Sequence, residues 1–296
     1  MLNLIERLTQ SGTLVADGAT GTMLQKAGLP RGMAPERWNL ENPQAIHDLH
    51  NSYIQAGADV ILTNTFGGTR FRLERDGLAS QVLEVNRAAA RLARETAGEH
   101  IFVFGDIGPL GSLLKPFGKV SFEEARAAFQ EQATGLAEGG ADAILIETMG
   151  DIIEAKAAVE GARQATKLPI IVTMSFDTHG HTVMGNKPAE AIQALWPLGL
   201  AAVGANCGRT LSETLAAIQE MRQTIPDATL MAKPNAGLPH VQSSSQTGSQ
   251  LVYDVTPEIM GEYALKFNEL EVKIFGGCCG STPEHIRSIA QVLKNQ

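Results

Sequence analysis

The chain has 296 residues, of which 44% are hydrophobic and 19% charged, and a net charge of −8. That composition belongs to a globular protein with ample core, and its acidic balance argues against nucleic acid or anionic membranes as partners. The opening Met1-Leu2-Asn3-Leu4-Ile5-Glu6-Arg7 breaks its apolar character at once, so no signal peptide is expected, and the uncharged stretch Ala191 to Gly208 reads as helix end, turn and strand rather than a membrane span.

In chain order, short apolar runs alternate with helical patterns. The predicted strands are Leu14–Ala16, Val60–Asn64, Ile101–Gly105, Ala143–Glu147, Ile170–Ser175, Ala202–Asn206, Leu230–Lys233 and Val272–Phe275. Between them lie Ala-, Glu- and Arg-rich segments such as Ser121–Glu138, Ile152–Ala165 and Ser212–Gln223. Ser121 with Glu124 has capping-box spacing, and Thr256-Pro257 and Thr282-Pro283 each read as an N-cap followed by proline at the first helical position. Eight strand-then-helix units with buried strands predict an α/β fold, a single-domain (β/α)₈ TIM barrel over residues 1–296.

Connections into strands are short, as in Ala56-Gly57-Ala58-Asp59, whereas those leaving strands are long: Gly28 to Pro43, Gly108 to Val120 and Asn235 to Val255. Loops after the strands build the active sites of such barrels. The Ser/Gln/Gly stretch Gln242–Gln250 reads as a mobile surface loop, with a lid as the alternative.

Polar groups stand where each strand ends: Asp17, Asn64-Thr65, Asp106, Glu147, Ser175, Cys207, Asn235 and Cys278-Cys279. A buried strand has no structural reason to finish this way eight times. Taken singly, Asp17 also fits a helix cap and Glu147 an ion pair with an interior arginine. The chain's three cysteines, Cys207, Cys278 and Cys279, lie among glycines at two strand ends. They can be buried apolar thiols, or three thiolates around a zinc ion with an open fourth position, which marks a catalytic site. Soft thiolates favour zinc or copper(I) over magnesium or calcium. His179 and His181 are read as solvated loop residues. Glycines in Asp17-Gly18-Ala19-Thr20-Gly21-Thr22 expose N–H groups suited to a carboxylate or phosphate.

Across essentially its whole length the chain resembles the homocysteine S-methyltransferase family, most of all the N-terminal homocysteine-binding module of cobalamin-dependent methionine synthase. The resemblance is carried by Asp17-Gly18-Ala19-Thr20-Gly21-Thr22, Leu62-Thr63-Asn64-Thr65-Phe66, Gly105-Asp106-Ile107-Gly108-Pro109, Ile146-Glu147-Thr148, Ala205-Asn206-Cys207-Gly208, Pro234-Asn235-Ala236-Gly237 and Gly276-Gly277-Cys278-Cys279-Gly280. It implies a (β/α)₈ barrel whose zinc is held by Cys207, Cys278 and Cys279. It further implies that Asp17 and Glu147 hold the homocysteine amino group and that backbone near Thr20 and Gly21 takes its carboxylate. Asn235 matches a position that approaches zinc when substrate is absent.

The implied reaction is attack of a zinc-bound homocysteine thiolate on a methyl donor to give methionine. The partners are homocysteine and a small donor or a methylcorrinoid protein. Residues after Phe66, Gly67 and Gly68, lack the tyrosine of betaine-using relatives. The chain reaches Gln296 without the folate, corrinoid and reactivation modules of the full synthase, as a stand-alone enzyme or an excised module. Alternatives are a non-catalytic homocysteine- or zinc-binding module, a barrel methylating a different thiol, or an aldolase-like barrel using Lys233. Free thiols and the absence of an export signal predict the cytoplasm.

Overall fold

The computed structural model describes residues 3–244 and 248–294. Eight parallel strands form the central sheet: β1 (Leu14–Val15), β2 (Val60–Leu62), β3 (Phe102–Ile107), β4 (Ala143–Met149), β5 (Ile170–Met174), β6 (Ala202–Cys207), β7 (Leu230–Pro234) and β10 (Val272–Phe275). β8 (His240–Ser244) and β9 (Gly248–Val252) pair antiparallel as a separate hairpin. The sheet order β1-β10-β7-β6-β5-β4-β3-β2 runs round to its start, where a parallel bridge between Ala16 and Val60 closes the barrel. The predicted (β/α)₈ barrel is the fold.

Period-two alternation sorts each strand's side chains into an inward and an outward set. The inward set at the N-terminal end is apolar and packs as one cluster that includes Phe102, Phe104, Leu145, Ile171, Met231 and Ile274. The first helix, Leu4–Leu8, adds Leu4 and Leu8 to this cluster. Two residues further along the same face come Asp106 on β3, Glu147 on β4, Thr173 on β5, Asn206 on β6 and Lys233 on β7, all buried. The barrel interior is therefore apolar below and polar above. The outward set packs against the surrounding helices in the larger core cluster, with Ile144, Ile146, Val172, Val203 and Leu230 among its members.

Helix boundaries follow their local chemistry. Ser121 caps Phe122–Glu138 through a capping box with Glu124, and Thr256 caps Pro257–Glu269 by accepting the Ile259 N–H. Thr282 precedes Pro283, the first residue of the helix Pro283–Lys294; its carbonyl accepts the Ile286 N–H and its hydroxyl donates to the Glu284 carboxylate. The expected long loop Gly28 to Pro43 contains a 3₁₀ turn, Pro35–Arg37, and a short helix, Trp38–Glu41. The stretch Gln242–Gln250 falls on the hairpin, whose two arms pair from His240↔Val252 to Ser244↔Gly248; residues 245–247 at its tip lie outside the described residues. No helix among the described residues is long and apolar enough to cross a membrane.

Candidate active site

A cavity of about 650 Å³ opens at the C-terminal mouth of the barrel. Its floor carries Asp106, Glu147 and Lys233, one flank carries the three cysteines, and the other the segment Gly18–Thr22 with Glu36 from the following loop. A second hollow of about 330 Å³ opens beside Cys207 and shares Thr148 with the first.

The sulfurs of Cys207, Cys278 and Cys279 lie within 4.8 Å of one another, on half-buried residues. Cys207 ends β6 with φ 61°, followed by Gly208 at φ 75°. The left-handed pair turns the chain at the strand end. A non-glycine residue held there is strained, and such strain collects at functional sites. Two asparagines fix the surrounding backbone. Asn206 Oδ1 accepts from the Thr148 N–H and the Thr173 hydroxyl, both at 2.7 Å, while its Nδ2 donates to Thr148 Oγ1 at 2.7 Å, so one side chain ties β4, β5 and β6. Asn235 Nδ2 donates to the Gly208 carbonyl at 2.7 Å, and its Oδ1 accepts the Cys279 N–H at 3.0 Å. It thereby joins the two cysteine-bearing loops.

The donor set fits a thiophilic cation. Contact with Cys278 favours the Cys207 thiolate, but contact with Cys279 and burial outweigh it and push the Cys207 thiol up to about 12. Contact with Cys207 favours the Cys279 thiolate, yet Cys278 and burial push that thiol up to about 12 as well. Cys278 is raised by its contact with Cys207 and by burial. Three thiols this close cannot ionise together without a cation among them. Thiolates about 2.3 Å from one tetrahedral zinc stand roughly 3.8 Å apart, a spacing these sulfurs can meet. Among the described residues this is the group of side chains so arranged. His179 and His181 sit instead in a turn closed by the Thr178–His181 bridge, outside the cavity lining.

Lys233 Nζ lies 3.5 Å from Asp17 Oδ1 and 3.6 Å from Glu147 Oε2, and all three residues are buried. Burial pulls the Lys233 ammonium toward deprotonation, but Glu147 and Asp17 outweigh it and hold its pKa above the usual lysine range. An ion-paired ammonium is a poor nucleophile, which counts against an aldolase-like Schiff base here. Burial pushes the Asp17 carboxyl up to about 6 against the opposing pull of Lys233. Burial, reinforced by Glu147, raises Asp106 well above the carboxylate range.

Of the residues singled out from sequence, Glu147, Thr20, Gly21 and the three cysteines line the cavity. Thr20 and Gly21 open the helix Gly21–Lys26, whose first turn faces it. Asp17 stands behind Lys233, with Oδ2 accepting the Leu62 N–H at 2.8 Å. Asn235 supports the thiol loops from behind. Asn206 and Thr148 are not given site roles from sequence, and Lys233 enters only as the lysine of the aldolase-like alternative. A lysine inside the apolar run Leu230-Met231-Ala232-Lys233 was the available signal, since a strand lysine that is buried needs a counter-charge.

Fold and site together define a (β/α)₈ barrel with a three-thiol centre beside a buried carboxylate cluster. Residues 14–293 match the sequence model of homocysteine S-methyltransferases. The chain belongs to the homocysteine S-methyltransferase family. It is 33% identical to methionine synthase of Mycobacterium leprae, with 98% of this chain and 25% of that protein covered. Methionine synthase of Mycobacterium tuberculosis is likewise 33% identical, over 99% of this chain and 25% of its own length. The chain thus spans about a quarter of the curated relatives it matches. In fold it is similar to the homocysteine methyltransferase MmuM of Escherichia coli. The oxidized form superposes with a TM-score of 0.80 at 22% identity, covering 98% of this chain and 99% of that one. The metallated form gives 0.78 at 23%, covering 96% and 97%.

Proposed function

We propose that this chain binds zinc through Cys207, Cys278 and Cys279 and transfers a methyl group to homocysteine, giving methionine. The observation that carries the reading is the convergence of three sulfurs within 4.8 Å on the wall of a cavity whose floor is a buried acid cluster. Zinc bound there would supply the positive charge that ionises a substrate thiol near neutral pH.

The remaining work falls to the chain's own groups. Glu147 presents a carboxylate to the substrate ammonium, and Asp17 adds negative charge from behind Lys233. The first turn of Gly21–Lys26 offers backbone N–H groups to the substrate carboxylate. Asn206 and Asn235 hold the thiol-bearing loops in register. The substrate thiol gives up its proton, and its sulfur bonds to the donor's methyl carbon in line with the leaving group. The donor departs with the bonding pair. A small methyl donor or a methylcorrinoid protein fits this scheme, and the three free thiols suit the reducing cytoplasm.

Purified protein should carry about one zinc per chain, and Cys207→Ala, Cys278→Ala and Cys279→Ala should each lose it while keeping the circular dichroism of the fold. Elemental analysis and a donor screen with homocysteine test this. Full metal retention in two of the three variants would sink the three-thiolate centre. Homocysteine bound but never methylated by any donor would leave a binding module instead.

A further inference from the structure

We propose that Asp106, together with Glu147, directly holds the ammonium group of the amino-acid substrate. The inference rests on the homocysteine reading above and names a contact that reading does not assign.

Three observations lead to it. Asp17 is absent from the cavity lining: Oδ2 accepts the Leu62 N–H, and Oδ1, though also without a hydrogen-bond partner, faces Lys233 Nζ at 3.5 Å. Glu36 reaches the wall, but its carboxylate accepts the Gly67 N–H. Asp106 lines the cavity beside Glu147 and is 5% exposed. Its Oδ1 is buried with no hydrogen-bond partner, as is Glu147 Oε2, whose 3.6 Å contact with Lys233 is an ion pair too long for a hydrogen bond. Buried polar atoms in native proteins are nearly always satisfied, so two such acceptors on one cavity floor point to a donor that arrives with the ligand.

The main chain of Asp106 is pinned, which fixes where its carboxyl stands. Its N–H donates to Thr63 Oγ1 at 2.9 Å, and its carbonyl accepts from the Thr65 hydroxyl at 2.7 Å and from Gln132 Nε2 at 3.3 Å. A primary ammonium carries three N–H donors and no acceptor, and one carboxylate cannot satisfy it. Charge agrees with this placement. Burial, reinforced by Glu147, raises the Asp106 pKa well above the usual carboxylate range. An arriving cation favours its ionised form, and the proton leaves to solvent.

The test compares homocysteine with 4-mercaptobutanoic acid, which keeps the thiol and carboxylate but lacks the amino group. Both are titrated against zinc-loaded wild type, Asp106→Ala and the isosteric Asp106→Asn. Homocysteine affinity should fall at least about tenfold in Asp106→Ala and less in Asp106→Asn, which retains an acceptor. Affinity for the des-amino thiol should hold in both variants. Equal losses for the two ligands would mean a structural role and overturn the proposal, as would unchanged homocysteine affinity in both variants. Wild type that binds neither ligand would overturn the homocysteine reading itself, and this inference with it.

Discussion

Lys233 and Asp17 show how one buried ion pair changes the meaning of a residue. The resemblance implies Asp17 as a direct ligand for an ammonium, and the structure sets a lysine ammonium there already. Under the proposed function, Asp17 would act on substrate through Lys233, because Lys233 without that partner is left paired with Glu147 alone. The same burial gives Asp17 an unusual pH signature. An unfolded aspartate titrates near 3.8, whereas in the fold Asp17 titrates near 6 because burial opposes its charge. The folded state holds the proton more tightly, so this residue's contribution is fully present below pH 3.8 and is lost as pH rises through 6. Over that window the loss is about 3 kcal/mol at 1.36 kcal/mol per unit. Asp17→Asn removes the titration. The stability advantage of wild type over this variant should therefore shrink between pH 4 and pH 7 in urea melts, and a constant gap would contradict the buried-acid assignment.

Among elements, β6 joins the thiols to the rest of the barrel. Asn206, one residue before Cys207, faces inward and binds β4 and β5 by side-chain bonds alone. Asn206→Ala leaves the buried Thr173 hydroxyl without its acceptor, at about 1–3 kcal/mol, and the half-buried Thr148 N–H without its own, at about 1 kcal/mol. The expected loss is about 2–4 kcal/mol in denaturant unfolding, with weaker metal binding, because Thr148 and Cys207 are held at φ 61° on either side of this bridge. Strand identity was legible in the sequence because buried parallel strands are continuous apolar runs: all eight were found, and Val272–Phe275 to the residue. Strand ends were less so. β3 and β4 each run two residues beyond the predicted Gly105 and Glu147, since polar residues at a barrel mouth continue the ladder while breaking the apolar pattern. The β8–β9 hairpin was hidden because its Ser- and Gln-rich arms carry no alternation. Cysteines and Glu147 were legible as strand-end chemistry. The roles of Asp106 and Lys233 were not, because which carboxylate an internal lysine neutralises depends on three strands at once.

At the scale of the molecule, the thiol centre and the core are separate. No cysteine belongs to either large apolar cluster, and the plugged lower half of the barrel lies beneath the polar layer. Removing metal with a chelator should therefore leave the far-ultraviolet circular dichroism and cooperative unfolding intact while abolishing homocysteine binding. The stability lost is only the linkage term, about 2.7 kcal/mol at free zinc one hundred times its Kd. A collapse of helicity on chelation would show the metal to be structural.

Closure of the barrel also sets a timetable. β1 has two neighbours: β2, joined by the single Ala16–Val60 bridge, and β10, whose Val272 carbonyl accepts the Thr13 hydroxyl across 259 residues of sequence. The strand made first waits for the strand made last. At about 5–20 residues per second on the ribosome, that wait is roughly 13–52 s. Throughout it, the edge formed by Leu14 and Val15 is an unpaired apolar template. Closure at this seam is therefore the step most open to mispairing, and the waiting strand lies far in sequence from the strand ends that carry the thiols.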